Sequence, residues 1–205
     1  MVDEDTGIWS YADATTPWSG DGRGHGSCQS LKPLLAKYFD TNHPLIDMGC
    51  GLGDYIQYLS EQGFEVYGFD GTPSINETSI YHPVLEADLT KPVREQLDLP
   101  QGNVMSLEVG EHIPPVHEEM FLKNITDYCS NTLILSWALP NQGGHGHYNE
   151  QSNDYVINKL TNYGLIFDSY ATQRFREELM QLIEKTSVDH GWVFFTRTIM
   201  IFRRD

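Results

Sequence analysis

Two carboxylates and an imidazole fall within five residues of one another in this 205-residue chain. They are Glu108, Glu111 and His112, in Ser106-Leu107-Glu108-Val109-Gly110-Glu111-His112-Ile113-Pro114-Pro115. Such a set can hold a divalent cation, with open positions left for water or substrate oxygens. It can also work without metal, His112 acting as a general base near neutral pH; a helix cap at Glu111 is the structural alternative. A second group of histidines, His145 and His147, lies in Gln142-Gly143-Gly144-His145-Gly146-His147. A different chemistry is written in Asp47-Met48-Gly49-Cys50-Gly51-Leu52-Gly53-Asp54. Its glycines allow a tight turn and close approach of a ligand to the backbone, and the next helix points its amides at that ligand. Asp70 follows Asp47 by 23 residues, a spacing that suits an acid holding both hydroxyls of a ribose. Asp88 suits an adenine amine, or else caps the turn at Thr90-Lys91-Pro92.

The elements that carry these residues alternate. Short apolar runs at Pro44 to Met48, Phe64 to Phe69, Pro83 to Glu86, Asn103 to Leu107 and Thr132 to Trp137 read as buried strands. Between and before them, helices fit Leu31 to Tyr38, Asp54 to Gln62 (closed by Gly63), Met120 to Tyr128, and the stretch around Val156, Leu160 and Tyr163. The end of the chain reads as a strand from Leu165 to Ser169, a helix from Thr172 to Thr186, and a long strand from Trp192 to Arg203, rich in β-branched and aromatic residues. That helix places Arg174, Arg176, Glu177 and Glu178 on its polar side. Alternation of this kind predicts parallel βαβ units with helices on both faces of one sheet. Ligands then bind beyond the carboxyl ends of the strands, which is where every residue singled out above lies.

Composition narrows the function. Hydrophobic residues make up 40% and aromatics 12%, which excludes a disordered chain. Acids outnumber bases 29 to 13, a net charge of -16. That argues against nucleic acid and anionic membranes as partners, because phosphate binding draws on Lys and Arg, and suits a neutral or cationic small molecule. Met1 to Asp5 is acidic and reads as neither a secretory signal nor a transit peptide. The three cysteines, Cys28, Cys50 and Cys129, show no CxxC spacing, so the expectation is a cytoplasmic, reducing setting without a disulfide framework.

The run Leu45-Ile46-Asp47-Met48-Gly49-Cys50-Gly51-Leu52-Gly53, with Asp70 and Asp88 at the next two strand ends, resembles the first motifs of class I S-adenosylmethionine-dependent methyltransferases. The resemblance extends from about Leu31 to Arg203. It implies a Rossmann-like α/β fold whose seven-stranded, mostly parallel sheet ends in an antiparallel strand inserted between the fifth and sixth. It implies S-adenosylmethionine as cofactor, bound by Asp47, Gly49, Cys50, Gly51, Asp70, Gly71, Asp88 and Leu89. Glu-x-x-Glu-His is similar to a motif of the ubiquinone-pathway O-methyltransferases and of the small-RNA 2′-O-methyltransferases. That likeness implies Glu108, Glu111, His112 and His147 (or His145) as ligands of Mg2+ or another divalent metal, with Glu111, His112 and His147 catalytic. Gly110 departs from both branches, where bulkier residues are usual, and the acidic charge departs from the RNA branch.

The expectation is therefore methyl transfer to a small molecule, O-directed and metal-assisted. The alternatives are a metal-independent N-methyltransferase using a Glu/His acid–base pair, a binding protein of the same fold without activity, and, more distantly, a dinucleotide oxidoreductase. Residues 1–30 are expected to form an arm or lid on a single domain, 31–205, with Arg23 against the cofactor's carboxylate and Trp18 shielding its sulfonium. Trp137 is expected either to stack on the acceptor or to lie in the core, and Asn149 to cap the helix that follows it.

Overall fold

The computed structural model describes residues 2–14, 26–77, 79, 83–186 and 189–204. The elements in chain order are α1 (Tyr11–Ala14), α2 (Leu31–Tyr38), β1 (Leu45–Met48), α3 (Asp54–Glu61), β2 (Val66–Asp70), β3 (Val84–Glu86), β4 (Gly102–Ser106), α4 (Glu118–Tyr128), β5 (Cys129–Leu135), α5 (Asn153–Asn162), β6 (Ile166–Phe167), α6 (Ser169–Lys185), α7 (Phe195–Thr198) and β7 (Met200–Arg203). Arg23 and Trp18 lie outside the described residues, as does most of the first glycine-rich stretch. No described helix is long and apolar enough to cross a membrane.

The strands form one sheet in the order β3-β2-β1-β4-β5-β7-β6. β1 pairs in parallel with β2 and β4, and β4 with β5. β7 runs antiparallel between β5 and β6, as the family resemblance implies. Every residue of β1 and β4 is buried, which explains why both read as mainly apolar runs without a polar face: helices cover both faces. Alternate side chains serve opposite layers. Ile46, Val104 and Leu133 pack with Phe121, Tyr128 and Leu160 of α4 and α5. Leu45, Met105 and Ile134 pack with Leu31 and Leu35 of α2 and Phe175 and Leu179 of α6.

The long strand expected from Trp192 to Arg203 is the main correction. The segment makes a 3-10 turn at His190–Trp192 and the short helix α7 before β7 begins at Met200. β-branched and aromatic residues favour strands only where a pleated surface receives them. Here Trp192, Phe194 and Phe195 pack on one another instead, Phe194 and Phe195 at 4.6 Å and Trp192 stacked on Phe195 at 5.9 Å. Arg176 also differs from its expected place on a solvated face: its Nε donates to the Ile199 carbonyl at 2.7 Å.

Long-range polar contacts lock the ends of helices. Asp189, beyond α6, accepts from the amides of Gln29 and Ser30 at 3.1 and 2.9 Å and from the Ser30 hydroxyl at 2.6 Å. An anion there satisfies orphan amides at the start of α2 and complements its dipole. Ser152, rather than Asn149, caps α5, accepting from the Tyr155 amide. Asn149 instead donates from Nδ2 to buried Glu118 at 2.9 Å.

Trp137 is core. It is 1% exposed, its Nε1 donates to the Asn149 carbonyl at 2.6 Å, and its ring meets Phe121 edge-on. Gly110 lies against its face: a Cβ there would come within 2.3 Å of the indole. This close approach accounts for glycine at this position. Gly110→Ala is expected to destabilise the fold by about 1–3 kcal/mol through overpacking, read as a lower urea midpoint at unchanged slope. A midpoint equal to the parent's would mean that the indole yields freely.

Candidate active site

The loops beyond β1, β2, β4 and β5 converge on one cavity of about 760 Å3, toward the upper end of the range for small-molecule sites. Its first wall is the glycine turn. Gly49, Gly51 and Gly53 have φ of +80, +52 and +82°, angles that exclude most side chains. At Gly49 a Cβ would also strike Val109 at 2.6 Å, so the turn after β1 touches the turn after β4. Asp70 ties the turn to β2: one carboxylate oxygen accepts from the Gly51 amide at 3.0 Å and the other from the Thr72 amide at 2.9 Å. Gly49, Cys50, Gly51, Asp70, Gly71 and Leu89 line the cavity.

Asp47 and Asp88 are not among the lining residues. Asp47 is buried at the end of β1, and burial together with the nearby charge of Asp70 pushes its carboxyl well above the usual range. Asp88 makes the turn contact weighed against its adenine role: one oxygen accepts from the amide and hydroxyl of Thr90 at 2.9 and 2.6 Å, and the other pairs with Lys91 at 2.9 Å.

The second wall is the turn after β4. Glu108 has φ of +53°, strained backbone for a non-glycine residue and a common mark of functional sites. Its amide donates to Ser136 Oγ at 2.8 Å, and its carboxylate accepts from Gln142 at 3.1 Å and Thr198 at 3.4 Å. Glu111 is fully buried, and neither of its carboxylate oxygens accepts a hydrogen bond from a fixed donor among the described residues; its polar neighbour is the Glu108 carboxyl, with which it can share a proton. Burial, reinforced by the neighbouring charge of Glu108, raises its pKa well above the ordinary range; burial raises Glu108 as well.

One ligand atom each from Glu111, His112 and His147 lie within 4.8 Å of one another. Each histidine places its Nδ1 against an oxygen acceptor. His112 Nδ1 donates to the Gly146 carbonyl at 3.0 Å, and His147 Nδ1 donates to Glu150 at 3.1 Å. A proton fixed on Nδ1 leaves the lone pair on Nε2, the arrangement that metal-binding histidines adopt. Burial lowers the pKa of His147 and favours its neutral ring. A buried carboxylate beside two imidazoles fits a divalent cation by the chemistry of its donors. The structure thus gathers three of the four anticipated ligands; Glu108 is not in the group, its oxygens being engaged by Gln142 and Thr198. His145 is not in it either: its ring packs edge-on to Trp9 at 5.7 Å.

Other lining residues carry weaker sequence signals. Thr6, Gly7, Ile8 and Trp9 roof the cavity, and a Cβ at Gly7 would come 2.0 Å from the His112 carbonyl. Trp9 meets His112 edge-on at 5.3 Å. Trp192, Phe194 and Phe195 form an aromatic side; their density in sequence was the available clue, though it read as a strand. Lys32 lines the cavity and pairs with Asp54 at 2.7 Å.

Residues 23–188 match a family model described as a methyltransferase domain. Solved structures share the architecture. The CcbJ methyltransferase from Streptomyces caelestis is 13% identical, with a TM-score of 0.65 over 98% of this chain and 99% of that one. A TehB-like SAM-dependent methyltransferase from Corynebacterium glutamicum is 14% identical, with a TM-score of 0.59 over 88% and 89%. Magnesium protoporphyrin IX methyltransferase from Synechocystis PCC 6803, solved with bound SAM, is 18% identical, with a TM-score of 0.56 over 86% and 79%. At these identities the likeness is one of fold. No curated protein matches the chain significantly.

The Glu111 environment makes a prediction about pH. A carboxyl whose pKa is raised on folding keeps its proton where the unfolded chain has released it, so stability falls as pH climbs above the ordinary value of 4.5. In divalent-free buffer, Glu111→Gln is expected to remove a slope of up to about 1.4 kcal/mol per pH unit. Urea unfolding at about pH 5 and about pH 8 checks this: the variant should gain on the parent at the higher pH. Parallel stabilities would show that Glu111 is not a strained acid.

Proposed function

The chain belongs to the S-adenosylmethionine-dependent methyltransferases of class I, and on that premise we propose that it O-methylates a small-molecule acceptor with the help of a divalent cation. The observation that carries this reading is the carboxylate of Glu111, buried without a fixed donor beside His112 and His147.

The cofactor half of the site is assigned to the glycine turn and the ends of β2 and β3. Gly49, Cys50 and Gly51 offer backbone to the methionine portion, Asp70 and Gly71 the ribose contacts, and Leu89 an apolar flank for adenine. Asp47 and Asp88 support these residues from behind. When bound, S-adenosylmethionine supplies an activated methyl group. Glu111, His112 and His147 would hold the cation, which when bound lowers the pKa of an acceptor hydroxyl.

The remaining work falls to the protein's own groups. His112 and His147 line the cavity, and Glu108 lines it as well. Gln142 and Thr198 hold Glu108 in place. The arm, assigned to residues 1–30, acts as a lid in its described part: Thr6 to Trp9 roof the cavity and Trp192 to Phe195 close its side, excluding water. With a net charge of -16, a neutral or cationic acceptor is favoured over an anionic one.

Two variants separate the halves. Asp70→Ala is expected to weaken S-adenosylhomocysteine about 10–100-fold, the loss of hydrogen bonds to a charged group. Glu111→Gln should keep that affinity while losing turnover and the binding of Mg2+ or Mn2+ titrated into the S-adenosylhomocysteine complex. Stoichiometric metal binding in the parent, absent in Glu111→Gln, supports the metal-assisted reading. No metal binding in the parent overturns it in favour of acid–base catalysis by His112 and His147 without metal.

A further inference from the structure

The loop after β5 brings His147 to the site, yet residues 139–152 form neither helix nor strand. Something other than a backbone ladder must hold the imidazole still. Three hydrogen bonds converge on one carboxylate within that loop. Glu150 Oε1 accepts from the Gly143 amide at 2.6 Å and from His147 Nδ1 at 3.1 Å, and Oε2 accepts from the Asn141 amide at 2.7 Å. Asn141 and Gly143 have φ of +68 and +72°, left-handed conformations open to asparagine and glycine, and both donate their amides to this carboxylate. From the other side, the Glu111 carbonyl accepts from the amides of Tyr148 and Asn149 at 2.8 and 2.9 Å. His147 is therefore held between Glu150 and the backbone of Glu111. Its ring lies on Gly144, where a Cβ would come 2.2 Å from Nε2.

A neutral imidazole left to itself prefers its proton on Nε2. In that tautomer the nitrogen needed beside Glu111 and His112 has no lone pair. An anion fixed at Nδ1 reverses the preference, and carboxylates serve metal-ligating histidines in this way.

We propose that Glu150 is a positioning residue that holds His147 as the Nδ1–H tautomer, with Nε2 left to complete the group formed by Glu111 and His112. This rests on the metal-assisted reading for its consequence, but the tautomer itself does not depend on metal.

The test uses the full chain labelled with 15N-histidine and saturated with S-adenosylhomocysteine, the His147 signals being assigned by their loss in His147→Asn. The parent should show Nδ1 protonated in metal-free buffer. Glu150→Gln, which keeps the shape and one acceptor oxygen but removes the charge, should move the proton toward Nε2. Calorimetric titration of Mn2+ should show a loss of affinity of about 10–100-fold in that variant, with S-adenosylhomocysteine affinity unchanged. A parent whose His147 carries its proton on Nε2 overturns the proposal, and this holds even if Glu150→Gln does not fold. A Glu150→Gln protein with the parent's tautomer and Mn2+ affinity overturns it as well, reducing Glu150 to a loop clamp. If the parent binds no Mn2+, the metal-assisted reading fails by itself. The tautomer then decides: a shift in Glu150→Gln upholds the positioning role, and no shift overturns it.

Discussion

Glu111 is the constraint around which the site is built. A carboxylate with no exposed surface and no fixed donor costs several kcal/mol if ionised and unpaired, and Glu108 beside it makes ionisation harder. Either a proton or a cation must sit there. The surroundings nevertheless hold it in place. The Glu111 carbonyl takes two amides from the β5 loop, and Gly110 flattens against Trp137 just before it. Trp137 in turn is fixed by Asn149, whose amide nitrogen donates to buried Glu118, itself held by the Tyr155 hydroxyl at 2.6 Å. Polar groups buried with every partner in place act as rigid supports. The contrast between that satisfied network and the carboxylate it supports singles out Glu111 as the buried group whose partner, proton or cation, the rigid surroundings do not supply.

The cofactor side follows from topology. β1 and β4 are neighbours, and the connection leaving β1 runs to β2 while that leaving β4 runs the other way to β5, so they diverge and open a crevice at the strand ends. Contact between the Gly49 turn and Val109 then sets the spacing of the two halves, since both turns must keep their backbones close for the crevice to have one floor. The arm closes it from above, with Ile8 lying where a Cβ on Gly71 would come within 2.9 Å and Gly7 against His112. One short segment touches both the Gly71 end and the His112 end of the cavity, so closure over one is closure over the other.

Much of this was legible in the sequence, and the reasons differ by element. The buried strands announced themselves because central parallel strands have no polar face. The glycine turn and Asp70 were legible because the backbone angles and the close approach admit few other residues. The group formed by Glu111, His112 and His147 was half legible: Glu111 and His112 are adjacent, but only the fold brings residue 147 to them. Asp88 shows the limit of local reading, since an acid at a strand end serves a turn as readily as a ligand. The segment from Trp192 to Phe195 misled because aromatic and β-branched side chains satisfy themselves equally well by packing on each other. Glu150 gave no sign beyond lying three residues after His147; its role depends on left-handed turns at Asn141 and Gly143 that propensity does not specify.

What the shared fold leaves undetermined is the acceptor, and here the lining charges carry the argument. Among the described residues Lys32 is the cation that lines the cavity, and it is already paired with Asp54. Glu108 faces the same space, held by neutral donors that leave its charge uncompensated when ionised. A carboxylate or phosphate placed against Glu108 would meet repulsion when that residue is ionised, and like-charge juxtaposition in a closed site is costly. The aromatic side formed by Trp192, Phe194 and Phe195 offers the opposite: broad apolar area, and ring faces that attract cations as readily as they stack on planar groups. Because the same scaffold supports many chemistries, these loop residues, rather than the sheet, set what is methylated. They favour an acceptor with apolar or cationic surface for the aromatic side and no negative charge beside Glu108.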